Sequence, residues 1–175
     1  LLGGELRLHV EPGAGRGLCR RDDERLHVRA PHAGVAHAAV EAWYRREAQA
    51  HFRARVAHFA PHIGRAPRAI HVRAQRTRWG SCSARGVISL NWRLLQMSAV
   101  LLDYVVVHEL CHLLVPNHSP RFWAEVARIL PDWRERRRAL RAAGRCLAQG
   151  VPPIPAGPPA SGGFAGASGL LCSSI

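Results

Sequence analysis

No lysine occurs in the 175 residues: all 25 basic positions are arginine, set against 12 acidic ones for a formal net charge of +13. With abundant alanine and glycine, this bias is what GC-rich coding produces, so part of the basicity is compositional. Long apolar runs are also missing. Leu101-Leu102 and Val105 to Val107 fall far short of the roughly 20 residues that cross a bilayer, which argues against a membrane-spanning helix. The five cysteines (Cys19, Cys82, Cys111, Cys146, Cys172) form no Cys-x-x-Cys pair and are odd in number and scattered. They read as reduced thiols and predict a cytoplasmic protein. Leu1 to Val10 has no basic stretch followed by an apolar run and a cleavage site, so no secretion signal is expected, and the missing initiator methionine predicts that a few residues precede Leu1. A chain of this length buries roughly 70% of its unfolded surface around one core, without a metal or disulfide to hold it together.

Periodicity predicts an α+β domain over residues 1–150. Leu6, Leu8 and Val10 alternate with polar residues, as do Leu26 and Val28, so Glu5–Val10 and Arg25–Arg29 are expected as an antiparallel strand pair joined across the Gly-rich loop Pro12–Gly17. From Gly34 to Phe59, apolar residues recur every three or four positions, predicting a long amphipathic helix ended by Pro61 and Gly64. Ala69–Gln75 and Val87–Asn91 alternate again around the turn-rich segment 79–86, which predicts a second hairpin. Ser98 offers an N-cap to a helix running to about Leu114 and stopped before Pro116. Ser119-Pro120 begins the next helix. Asp132 with Glu135 forms an expected capping box for a last one ending near Gly144. Residues 151–175 carry no charge and no periodicity and are expected to be a disordered Pro/Gly/Ser-rich tail.

The sharpest feature is His108-Glu109-Leu110-Cys111-His112. On a helix the two histidines lie about 40° apart on one face and one turn along, so both imidazoles reach one metal ion. Glu109 projects beside them, free to take a proton from a metal-activated water. A tetrahedral catalytic site needs a third protein ligand. His118 is the nearest candidate: the helix breaks at Pro116, and Asn117 tolerates the left-handed conformation of a tight reversal. The His112 to His118 interval equals that of metzincin proteases, although Val115 stands where they carry glycine. Glu125 is the competing ligand. HExxH is short enough to arise by chance on helices. Here it lies on an apolar helix, a proline break and a third histidine follow, and no other acid occurs from Leu110 to Trp123.

Arg78-Trp79-Gly80-Ser81-Cys82, Ile88 to Asn91, Leu102 to His112, Asn117 to Ser119 and Phe122-Trp123 together resemble the YgjP-like metallopeptidase family, over roughly Gly4 to Gly144. The resemblance implies a zincin-like fold, with N-terminal strands and a central hairpin packed on an active-site helix and C-terminal helices. It implies one divalent ion, zinc by default, on His108, His112 and His118, with Glu109 as catalytic base, and kinship with SprT-like and WLM proteases. By analogy with zincins, the Arg78–Cys82 loop and the Val87–Asn91 strand would lie along the cleft. This nominates Arg78, Gly80, Ser81 and Asn91 for substrate binding; the other reading is a tight hairpin with Trp79 and Trp92 in the core. Tyr104, one turn before His108, either hydrogen-bonds a developing oxyanion or packs its ring. Cys111 reads as a packing residue off the ligand face.

Three functions follow as expectations. The first is a zinc metallopeptidase acting on a peptide or protein. The second is a nucleoside triphosphate (UTP) pyrophosphatase, an activity also associated with YgjP-like proteins, with Arg76, Arg78 and Arg93 on the phosphates although a P-loop is absent. The third is a nucleic-acid-binding module with structural zinc, using the Arg-rich surface. Nine arginines and no acid lie between Glu47 and Asp103, and Arg134, Arg136, Arg137, Arg138 and Arg141 cluster on the last helix.

Overall fold

A computed structural model describes residues 1–75 and 77–143 and the backbone of 169–171. The alternating apolar residues of β1 (Leu6–Pro12) and β3 (Arg25–Ala30) put Leu6, Leu8, Leu26, Val28 and Ala30 on one buried face. The two strands are parallel, with Leu8 opposite Leu26 and Val10 opposite Val28, and not the antiparallel pair expected. Between them in the chain comes a strand that periodicity did not reveal, β2 (Leu18–Asp22), antiparallel to β3 on its outer side. Two reversals of the chain restore its direction. Strand β2 escapes pattern reading because it is an edge strand with no apolar alternation, its Leu18 being 73% exposed. Of the tail predicted over 151–175, only the backbone of β7 (Gly169–Leu171) is described, antiparallel to β1; its remainder lies outside the described residues.

The second sheet shows the same departure. Strands β4 (Ala69–Arg73) and β6 (Val87–Asn91) are parallel, and the hairpin partner of β6 is β5 (Gly80–Cys82), giving the order β4-β6-β5. The β5–β6 turn closes through Gly86, whose φ of +75° suits glycine, with hydrogen bonds from the Gly86 N–H to the Ser83 carbonyl and from the Val87 N–H to the Ser83 hydroxyl.

Helix α1 (Ala33–Ile63) buries the predicted stripe, Val40, Trp43, Tyr44, Ala48, Phe52, Val56 and Phe59. It runs through Pro61 and stops at Gly64, in the left-handed conformation at φ +77°. A 3₁₀ turn, Trp92–Gln96, leads into α2 (Ala99–Cys111), followed by α3 (Pro120–Ile129) and α4 (Trp133–Ala143). Helix α2 packs against α1, α3, α4 and the second sheet. Val105, Val106 and Val107 are all buried, and that packing overrides their β preference. Ser98 and Ser119 stand at the N-caps as expected, yet neither hydroxyl makes a capping bond. The Glu135 N–H goes to the Asp132 backbone carbonyl, while the Asp132 carboxylate takes Arg136 at 2.8 Å, so the expected capping box is not formed.

Arginines tie the helices together. Arg55 of α1 grips Asp103 of α2 through two bonds of 2.6 and 2.9 Å. Arg65 donates to the Leu113 carbonyl beyond the end of α2, Arg128 to the His62 carbonyl, and Arg136 to the Val100 carbonyl. Part of the basic excess is therefore structural. Asp103→Ala leaves Arg55 unpaired at a half-buried site. It should lower stability by about 1–2 kcal/mol, read as a lower urea midpoint at unchanged slope. Among the described residues, no helix is long and apolar enough to cross a membrane.

Candidate metal centre and active site

The last turns of α2 carry His108 and His112 with ring centroids 4.9 Å apart. Beyond Cys111 the helix tightens: the Leu113 N–H bonds the Leu110 carbonyl, and the Leu114 N–H the Cys111 carbonyl. Val115 is buried, anchoring the turn where metzincins carry glycine. The reversal that follows needs no left-handed residue, since Asn117 is absent from the positive-φ positions. Its side-chain oxygen instead accepts the Ser119 N–H at 3.3 Å, an Asx turn that replaces the strain expected there. The chain thus returns His118 to the helix, its Nε2 3.0 Å from that of His108.

The imidazoles are held from behind. Phe122 of α3 stacks on His112 at 4.4 Å, and Trp123 stacks on His118 at 5.5 Å with Trp133 behind it at 4.3 Å. His112 places Nδ1 3.1 Å from the Val115 carbonyl. Donating a proton there leaves its Nε2 as the lone pair facing its neighbours. Burial, then His112, His118 and Arg137, lower the pKa of His108 to about 3, and burial lowers that of His112, so both rings are neutral donors at physiological pH. One nitrogen from each of the three histidines lies within 4.8 Å of the others. A tetrahedral zinc with nitrogens at 2.0–2.1 Å sets them about 3.3 Å apart. The donor set therefore fits a borderline divalent cation such as zinc.

Glu109 is 6% exposed, and burial pushes its carboxyl up to about 8. It lies against Gly80 of β5, where an added Cβ would fall 2.6 Å from Oε1, 2.8 Å from Cγ and 2.9 Å from Cδ. The missing side chain of Gly80 is the space that the carboxylate occupies. Gly80→Ala should therefore swing Glu109 off its position and lower turnover by about 100-fold, with circular dichroism and metal content unchanged; wild-type turnover would show that β5 yields instead. Beside Glu109 opens a cleft of about 270 Å³, lined by Arg78, Trp79 and Gly80, by Tyr104, Val105 and His108 of α2, and by Arg137, Leu140 and Arg141 of α4.

Residues 1–143 match the family described as YgjP-like, metallopeptidase domain. The chain belongs to this YgjP-like family. Membership places it among metallopeptidases, hydrolases that work with a bound metal ion. No curated protein matches the sequence. Among solved structures, the metallopeptidase zymogen abylysin of Pyrococcus abyssi is similar over 52% of this chain and 92% of its own, at 23% identity and a TM-score of 0.48.

In this YgjP-like chain, the site brings together His108, His112, His118, Glu109, Arg78, Gly80 and Tyr104. Tyr104 has its ring 5.9 Å from that of His108, and burial raises its phenol pKa. Two residues expected to bind substrate do not line the cleft. Ser81 is half-buried in β5, opposite Ser89. Asn91 is 1% exposed and donates to the carbonyls of Gln75 at 2.6 Å and Arg78 at 3.1 Å. It braces the loop from beneath because β6 is the middle strand; the cleft-side edge is β5. Glu125 lies outside the histidine group, ion-paired to Arg128 at 3.0 Å. Cys111 is fully buried, as expected of a packing residue. Arg93 covers the Trp92 ring at 4.6 Å away from the cleft, and Arg76 lies outside the described residues. The three arginines nominated for phosphates are thus not seen to converge, and neither the pyrophosphatase nor the nucleic-acid reading gains support from the comparisons. Sequence reading missed the stacking of Phe122 and Trp123 and the presence of Arg137 and Arg141 in the site. The i, i+3, i+4 spacing of Arg137, Leu140 and Arg141 was the available signal.

Proposed function

We propose that the protein is a zinc-dependent peptidase in which His108, His112 and His118 hold the ion and Glu109 is the general base. The observation that carries this reading is the convergence of three imidazoles beside a buried carboxylate that borders an open cleft. A zinc ion bound there would act as a Lewis acid, acidifying water and polarising the scissile carbonyl. Glu109 accepts the proton of the attacking water on its carboxylate and passes it to the leaving amide nitrogen. Burial alone raises the Glu109 carboxyl to about 8; a cation held by the neighbouring histidines would oppose that rise and favour the carboxylate that takes the proton. Strand β5, the edge next to α2, offers free backbone groups to an extended substrate, and the Tyr104 phenol lies within the same cleft to donate to the developing oxyanion. Cys19, Cys82 and Cys111 are unpaired, which fits the reducing cytoplasm.

The test is metal dependence on one sample. Protein carrying one zinc per chain should cut an unstructured peptide library, lose the activity on dialysis against a chelator and regain it on adding zinc alone. Cleavage that survives complete metal removal overturns the reading.

A further inference from the structure

Resting on the peptidase reading, the walls of the cleft narrow the substrate class. Three arginines line it from two elements: Arg78 from the β4–β5 connection, and Arg137 and Arg141 from successive turns of α4. Four arginines of the chain are ion-paired, Arg45 with Glu41, Arg55 with Asp103, Arg128 with Glu125 and Arg136 with Asp132; what sets the cleft arginines apart is that they converge on one concave wall. No ion pair among the described residues uses Arg78, Arg137 or Arg141. The one acid on the cleft wall is Glu109, buried against Gly80 and committed to the reaction. Arg137 is not a loose surface charge: its guanidinium lies over the Trp123 ring at 4.7 Å, a cation–π contact that restrains it at the cleft wall. Trp79, Tyr104 and Leu140 supply the apolar remainder of the wall. At about 270 Å³ the cleft is smaller than the ~300–1,000 Å³ typical of sites for drug-sized ligands. It suits one side chain or a chain end.

We infer that this cleft is a carboxylate subsite, and that the peptide substrate places an Asp or Glu side chain, or its own C-terminal carboxylate, there beside the scissile bond. A planar carboxylate accepts two parallel bonds from a guanidinium fork, and three unpaired cations around an apolar pocket penalise a lysine or arginine at the same position.

The test uses the zinc-loaded full chain and two sets of matched peptides. In the first set, both ends are capped and one residue beside the cleavage site is Glu, Gln or Lys; in the second, a neutral peptide ends in a free acid or an amide. A charge-assisted pair should give the carboxylate peptide about a 10- to 100-fold advantage in kcat/KM over its neutral partner, with the lysine peptide poorest. The first set identifies a side-chain carboxylate as the ligand, the second a chain end. Arg141→Glu, a change at an exposed position, should reverse the order of the Glu and Lys peptides, and Arg137→Gln should collapse the Glu-to-Gln ratio toward one. Cleavage with no preference in either set overturns the subsite and leaves the peptidase reading intact. If no peptide is cut, calorimetric binding of N-acetyl-glutamate amide against its glutamine analogue decides the subsite separately, and equal binding overturns it.

Discussion

Glu109→Gln should lower peptide turnover by roughly 10²–10⁴-fold while the protein keeps its full complement of metal, because the amide preserves the shape of the side chain but cannot take a proton. A second readout comes from the metal-free protein. Burial raises the Glu109 carboxyl from 4.5 to about 8 in the folded chain, whereas in the unfolded chain it ionises near 4.5. Between those values the unfolded state binds fewer protons, so the wild type loses stability as pH rises through this window. Below pH 4.5 both states hold the proton and nothing is lost. Glutamine has no such titration. The variant should therefore match the wild type at pH 4 and exceed it by a few kcal/mol at pH 8, measured by chemical denaturation of chelated samples. Full turnover in the variant would remove Glu109 from the reaction, and a stability difference that ignores pH would mean that its carboxyl is not desolvated.

His118→Ala should weaken zinc binding by more than the 10–100-fold typical of losing an outer partner of a metal ligand, and activity at limiting zinc should fall with it. The reason is geometric. Its Nε2 lies 3.0 Å from that of His108, so removing it leaves two ligands on one helix face. Glu125→Gln is the matched control: its carboxylate is ion-paired to Arg128, and metal affinity should stay within a few-fold of wild type. The reverse pattern, with zinc retained in His118→Ala and lost in Glu125→Gln, would transfer the third position to Glu125.

How much of this site could be read in advance depends on how local each feature is. His108, Glu109 and His112 share one helix, and helical geometry alone sets the angle between them. His118 lies across a turn whose shape depends on Val115 being buried and on the Asn117 side chain accepting from Ser119; spacing named the residue and misjudged how the turn is made. The role of Gly80 had no signal at all, because what matters is a missing Cβ facing a carboxylate 29 positions away. Arg137 and Arg141 read only as part of the basic cluster on the last helix: their spacing puts them with Leu140 on one face, but that this face meets the cleft depends on how α4 packs on α2.

The sequence by itself determined the α+β class, the long helix from about Gly34, the apolar active-site helix and the pairing of His108 with His112, since each rests on a short-range period of 2.0 or 3.6 residues. Tertiary structure alone decided that β1 and β3, and β4 and β6, run parallel, that β5 is the edge beside Glu109, and that the cleft is lined by three unpaired arginines. Alternation says which side chains share a face but not which way the neighbouring strand runs. Short edge strands such as β2 and β5 bury too little to leave a pattern, so their places are set only when the whole chain has packed around α2.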